Sequence, residues 1–295
     1  MALTATSGTL RRLRLFPLDV LLLAYLALTT AVAVSRWSLY PDMIWVLVSN
    51  ALAALLILLV RMAQARGSSG AWLDAYPLAL LIPLYGAIGF LNGSGAAPTH
   101  DLTIQAWEQA LFGGQPARDW WRAYPSTFWS PILHAAYLGY YLILVVPTVV
   151  FAARGDIASL RRSMLFVMAT FVPCYLAFIF FPVAGPYYSF PRPAGPVVDN
   201  WPARLLYAGL PSGSAFGAAF PSSHVAASVA STAGAWLSSR RLGIVLAIPT
   251  VLLVVSVVYC QMHYAIDALA GLAVATVVIT VASRHLARRS IQPAP

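Results

Sequence analysis

The apolar positions of this chain come in long, nearly unbroken runs rather than in the one-sided stripes of soluble helices. About eight such runs of roughly 15 to 21 residues, the length that crosses a bilayer, can be drawn. They cover residues 16–34, 44–60, 76–90, 131–151, 164–181, 222–237, 242–259 and 265–281. The pattern predicts an all-α fold, a polytopic bundle of transmembrane helices. Pro77, Pro83, Gly86 and Gly89 are expected to kink the third run. The opening stretch RRLRLFPLDVLLLAYLALTT has the basic head and apolar core of a signal peptide, but its apolar run is long and VAVSRW is a poor cleavage site. It is read as the first span.

Composition agrees with the pattern: 60% of residues are hydrophobic, 9% are charged and the mean hydropathy is +0.76. This is the composition of an integral membrane protein. The chain has no lysine, and its arginines set an orientation. With the amino terminus inside, Arg11, Arg12, Arg14, Arg61, Arg66, Arg154, Arg161, Arg162, Arg240, Arg241, Arg284, Arg288 and Arg289 fall on the cytoplasmic side, against Arg36, Arg118, Arg122, Arg192 and Arg204 outside. The positive-inside rule then places both termini in the cytoplasm, with a cell (plasma) membrane as the expected location and the active site facing outside. The formal charge of +9 is spread as topology anchors. No nucleic acid partner is expected.

Two long segments, 92–130 and 183–221, are left on the outer side. In the first, Leu102, Trp107 and Leu111 would form the apolar side of a short interfacial helix. His100, Asp101 and Glu108 lie in the same stretch, without tight ligand spacing, and read as a solvated loop or acceptor-binding surface rather than a metal site. The second segment is too rich in proline and glycine for a long helix. Cys174 and Cys260 sit inside apolar runs as packed thiols. The chain divides at about residue 130, into N-terminal spans with an outer loop (1–130) and a catalytic transmembrane core (131–295).

The chemistry concentrates at the outer ends of the last three runs. FPSSH puts His224 at the head of the sixth, where a histidine needs a reason to be near lipid. His263 and Asp267 stand four residues apart where the seventh run returns to the same face. On a helix that spacing lets the carboxylate accept a hydrogen bond from one imidazole nitrogen, leaving the other toward a substrate. Pro221 and Ser222 read as a helix start, whose N–H groups form an anion seat with the hydroxyls of Ser222 and Ser223 as further donors. An anion seat beside two histidines, one oriented by a carboxylate, suits phosphoryl transfer through a phosphohistidine, with no cofactor and no metal required. His134 is expected to pack or cap, and His285 needs no function.

These residues resemble the phosphatidic acid phosphatase type 2 superfamily of lipid phosphatases and phosphotransferases. Of its motifs KxxxxxxRP, PSGH and SRxxxxxHxxxD, the second stands here as PSSH and the third as SVVYCQMHYAID. The resemblance implies a six-helix phosphatase-type core plus additional spans, with His263 as nucleophile, Asp267 as its orienter, His224 as general acid, and Ser222 and Ser223 holding phosphoryl oxygens. Gly185 occupies the position of the first motif's lysine, before Arg192 and Pro193, and Val257 that of the third motif's arginine. Losing such cations can cost on the order of 3 kcal/mol each in transition-state stabilisation. Arg192 is the first candidate for the remaining phosphate cation and Arg204 the second, with Tyr187 and Tyr188 as neutral donors and Gln261 as a further one.

GPYYSFPRP and THDLTIQAWEQALFGGQP are similar to stretches of the inositolphosphotransferase branch, which includes the fungal inositol phosphorylceramide synthases. The expectation is therefore a metal-independent enzyme acting at the outer leaflet on a lipid phosphate or phospholipid, with water or an alcohol as acceptor and a phosphoinositol-type headgroup among the groups transferred. The opposing expectation is a non-enzymatic transporter or scaffold in which the histidines and aspartate form a polar gate.

Overall fold

A computed structural model describes residues 15–213 and 215–291, with the side chains of 15–209 and 215–287. Arg11, Arg12 and Arg14 and the side chains of Arg288 and Arg289 lie outside the described residues. Helices account for the architecture, with one isolated bridge, Val183 to Ala218, among the described residues. The protein is a polytopic all-helical bundle.

Among the described residues six helices are long and apolar enough to cross a membrane: α1 (Pro17–Ser35), α2 (Met43–Ala65), α3 (Ala71–Leu91), α8 (Ile157–Phe180), α12 (Arg240–Tyr259) and α13 (Ala265–Ile291), the last over Ala265–Ala287. The fourth apolar run is broken at Gly139 into α6 (Trp129–Leu138) and α7 (Tyr140–Ala153), bent by 49°, and makes a seventh span if counted as one. The sixth run becomes α11 (Ser223–Ser238), only 16 residues. At 1.5 Å per residue that is about 24 Å, short of the roughly 30 Å hydrocarbon layer. By length and composition six or seven of the expected eight or so runs therefore qualify among the described residues; α11 falls short on length alone, although it carries the chain from the start of α13 to the opposite end of the bundle, where α12 begins. Pro77 and Pro83 lie within a continuous α3.

The short helix is the centre of the molecule. α11 packs against α7, α8, α12 and α13, and its small residues permit close approach. The Gly234 position lies against Ser163 of α8, and Ser231 Oγ donates to the Ile143 carbonyl of α7 at 2.7 Å. α1 to α3 join the same apolar core through α8. Leu52, Ile82, Ile248, Val251 and Val277 are exposed on the bundle's outside, as lipid-facing positions should be.

At the end of the bundle where α11 and α13 begin, three shorter helices cover the core: α4 (Asp101–Phe112), α5 (Pro116–Ala123) and α9 (Pro186–Ser189). A fourth, α10 (Trp201–Gly213), packs on α6. The α4 helix is amphipathic with its faces exchanged. Leu102, Trp107 and Leu111 are exposed, whereas Asp101, Ile104 and Glu108, three to four residues apart, are buried. The reading of Asp101 and Glu108 as a solvated surface is overturned, for reasons that belong to the site.

Candidate active site

The site begins with a helix cap. Ser222 is the N-cap of α11, and its hydroxyl accepts a hydrogen bond from Val225 N at 3.4 Å. Ser223 and His224 then supply the first helical N–H groups, which a helix leaves without internal partners. Ser222 N donates to the Asp267 carbonyl at 2.9 Å, joining the start of α11 to the first turn of α13. Gly271, one turn further along α13, makes this contact possible: a Cβ there would stand 2.5 Å from Ser222 O.

His263 lies in the tight turn between α12 and α13, not on a helix with Asp267 as the four-residue spacing suggested. The turn is held by Met262 N and His263 N, both donating to the Val257 carbonyl, at 3.0 and 2.8 Å. Val257, where the family has arginine, is fully buried in the apolar core. The His263 Nδ1 atom is 2.9 Å from Ala219 O and 3.4 Å from Asp267 Oδ2. The Ala219 carbonyl can only accept, so Nδ1 carries the hydrogen and the lone pair is on Nε2. That atom lies 3.5 Å from His224 Nδ1. Burial pushes the His263 imidazole down to about 4, which keeps it neutral near pH 7.

Asp267 is fully buried, and its Oδ2 also accepts from Tyr264 N at 2.8 Å. The Ala219 carbonyl reaches His263 through a short pairing, in which Val183 N donates to Gly217 O and Ala219 N to Val183 O. His224 rests on two aromatic rings from either side of the Gly139 break, Tyr137 at 5.1 Å and Tyr140 at 4.3 Å between centroids. These two tyrosines were missed in the sequence, where YLGYY was only part of an apolar run.

The remaining expected residues are arranged around this pair with less direct access. Tyr187 is buried and stacked on Tyr207, while Tyr188 is exposed beside Phe216. Arg192 is exposed, its guanidinium 4.9 Å above the Tyr187 ring. Arg204 is exposed on α10 and paired with Asp199. No described contact joins Arg204 to either histidine. Gln261 has φ +56° and no solvent exposure, and both ends of its amide are engaged. Its nitrogen donates to Pro186 O and Pro191 O at 3.2 and 3.1 Å, and its oxygen accepts from Trp121 Nε1 at 3.2 Å and Arg122 at 3.3 Å. Arg122, which also donates to Pro191 O at 2.7 Å, is an arginine two contacts from His263 that the sequence did not single out.

Gly185 shows why no lysine stands there. Its φ is +102°, and a Cβ would meet Ala219 and the Met262 carbonyl at 3.2 and 3.3 Å. The backbone N–H is used instead: Ala184 N and Gly185 N donate to the Asp101 carboxylate at 2.9 and 2.8 Å. Tyr264 OH donates to the same carboxylate at 3.0 Å. Glu108 Oε1 accepts from Ala265 N and Ile266 N, the first N–H groups of α13, at 2.5 and 3.2 Å. The two carboxylates of α4 therefore cap structure on either side of the site. Each is buried because it satisfies backbone groups of another segment. His100 stacks on Phe181 with centroids 4.1 Å apart. His134 is buried with its nitrogens on Ser130 O and Tyr207 OH at 2.7 and 2.9 Å, away from the pair.

No curated protein and no solved structure matches the chain. The family model described as the PAP2 superfamily matches residues 102–281, a range that holds α4, both histidines and the aspartate. The chain belongs to the PAP2 superfamily, and is a membrane protein of that phosphatase-type group.

Proposed function

We propose that the chain is a lipid phosphate phosphatase or phosphotransferase that works through a phosphohistidine on His263. The observation that carries this reading is the orientation of His263: Nδ1 is committed to Ala219 O and Asp267, and Nε2 points toward His224. Nε2 attacks phosphorus as the bond to the leaving oxygen breaks, and His224, which enters the cycle as the imidazolium stabilised by the incoming phosphate charge, gives that oxygen its proton. Water or an alcohol then attacks the phosphohistidine, returning its proton to His224. A phosphorus atom does not fit between nitrogens 3.5 Å apart, so the His224 ring turns aside as the substrate enters. Ser222, Ser223 and the first N–H groups of α11 receive the phosphoryl oxygens. Arg192 and Arg122 are the candidate cations for the remaining charge, with Tyr188 as a neutral donor; Arg204, paired with Asp199, and Gln261 and Tyr187, both engaged, serve the loop's shape.

The scheme uses this chain's own side chains and backbone N–H groups. The similarity of GPYYSFPRP to the inositolphosphotransferase branch favours transfer of a phosphoinositol-type headgroup to an alcohol acceptor. The arginine distribution favours a site on the outer face of the plasma membrane, with residues 131–295 as the catalytic core and 1–130 supplying the outer helix that braces it. The test is release of phosphate, or formation of a new phospholipid, from a panel of lipid phosphates, phospholipids and isoprenyl phosphates, with His263→Ala beside the parent. Turnover by the parent alone carries the proposal. A polar gate predicts pH-dependent transport with no phosphoenzyme from either protein.

A further inference from the structure

A second polar centre lies at the opposite end of the bundle. Along α13, Leu286 is 19 residues beyond Asp267, about 28 Å on the helix axis and so close to the full thickness of the hydrocarbon layer. There the start of α1, the end of α2 and the starts of α3 and α8 are drawn together by charge. Arg61 donates to both oxygens of Asp19 at 2.8 Å, and Tyr76 OH donates to Asp19 at 2.6 Å. Arg161 donates to both oxygens of Asp74 at 2.7 and 3.1 Å. The Arg61 and Arg161 guanidiniums both stand over the Phe16 ring, at 4.5 and 4.2 Å.

Between these groups is a cavity of about 310 Å³. Its polar wall contains Arg61, Arg161, Arg162 and Asp74, and its apolar wall includes Leu18, Met164, Leu165 and Leu286. Among the lining residues one carboxylate, Asp74, faces three guanidiniums. Asp19 and Asp74 pair with Arg61 and Arg161, whereas among the described residues Arg162 donates to the hydroxyls of Ser159 and Ser238 and its buried Nε has no partner. Asp156, the N-cap of α8, accepts from Ser159 N. A cationic group with an unused donor beside an apolar wall, at the level of the membrane surface, is the arrangement that holds a phosphate joined to an acyl chain.

We infer that this cavity binds an anionic phospholipid of the leaflet facing away from the histidines, its phosphate on Arg162 and Arg161 and a chain along Leu18, Met164 and Leu286. The inference rests on the membrane fold and not on the proposed activity. It is tested by thermal unfolding of the detergent-solubilised full chain in a His263→Ala background, where no turnover consumes the probe. Phosphatidylglycerol, phosphatidylcholine and glycerol phosphate are titrated in parallel. Phosphatidylglycerol is expected to raise Tm by about 3 °C or more, with at least half of the rise lost in Arg162→Gln and in Leu286→Trp. The second variant fills the cavity and keeps the charge, so it stands if the first fails to fold. An equal rise with phosphatidylcholine overturns the inference, as does a rise with glycerol phosphate, which would make the ligand a soluble phosphate. No rise with any probe, or a rise unchanged by both substitutions, overturns it as well.

Discussion

His263 Nε2 faces His224 Nδ1 at 3.5 Å because the far nitrogen of His263 is held by the Ala219 carbonyl. A backbone oxygen thus selects the tautomer, and the reactive nitrogen follows. Replacement of His263 by alanine is expected to lower turnover by on the order of 10³ or more. In the parent, a radiolabelled substrate should leave label on the protein that survives alkali and is lost in acid, the behaviour of a phosphoramidate. His224→Ala should cost on the order of 10²–10⁴ with ordinary lipid esters. With a phosphate ester of nitrophenol, whose leaving group needs no proton, the loss should be far smaller. An equal loss with both substrates would remove His224 from the role of acid.

Asp267 is a weaker lever than its place in the motif suggests. Its oxygen is 3.4 Å from His263 Nδ1, farther than the 2.9 Å of Ala219 O, and is shared with Tyr264 N. Asp267→Asn should therefore reduce kcat by roughly 10- to 100-fold, well short of the His263 variant, with KM little changed. A loss as large as that of His263→Ala would mean that the carboxylate, and not the carbonyl, governs the ring.

The acid limb of the rate profile should lie low. Burial pushes His263 down to about 4 from the ordinary 6.5, and protonation removes the attacking lone pair. The sign for stability follows the same way: the folded state resists protonation, so this group's contribution is complete above pH 6.5 and is lost as pH falls toward 4. A plot of kcat/KM against pH should show its acidic inflection below pH 5. An inflection between 6 and 7 would place the nucleophile in a more solvated setting.

Glu108 acts in the opposite direction. Burial is the main cause that pushes its carboxyl up to about 7, against the two N–H groups of α13 that favour the ionised form. The folded state holds the proton more tightly than the unfolded chain does, so stability falls as pH rises through 7. Between pH 6.5 and 8 this fall, opposed in part by the unfolded chain's histidines, which still titrate near 6.5, should appear as a decline of Tm in the parent. In Glu108→Gln, which keeps an acceptor for Ala265 N and cannot ionise, the decline should be reduced by half or more.

Gly271→Ala tests the junction of α11 and α13. The new methyl would meet Ser222 O at 2.5 Å, and because that atom is backbone the helices must separate. A destabilisation of about 1–3 kcal/mol is expected, with a fall in kcat out of proportion to the single methyl added. Unchanged activity would show that the distance between the helix starts is not critical.

What the sequence made legible was where charge and polarity interrupt the apolar runs. PSSH and the histidine-aspartate spacing could be located because few polar groups stand near them, and the helix start at Ser222 followed from capping chemistry alone. What it hid depended on contacts made through the backbone or across long separations. Ala219 has no side chain that could announce a carbonyl aimed at His263 44 residues away. Asp101 and Glu108 looked solvated because a carboxylate that caps another segment's N–H groups has the same local sequence as one in water. Gly139 gave no sign that an apolar run would bend, and the length of a run did not reveal that α11 lies at the centre of the bundle.

Gln261 links these parts mechanically. Its amide is fastened to Trp121 and Arg122 on α5 and to Pro186 and Pro191 around α9, and its backbone belongs to the turn that ends in His263. The nucleophile and the two outer segments consequently form one jointed plate rather than a fixed base under loose loops. A change of acceptor preference can be accommodated at positions such as Leu102, Trp107 and Leu111, which face outward, without disturbing the plate. At the Gln261 anchorages, any change of loop shape is at the same time a change in the aim of the reacting nitrogen.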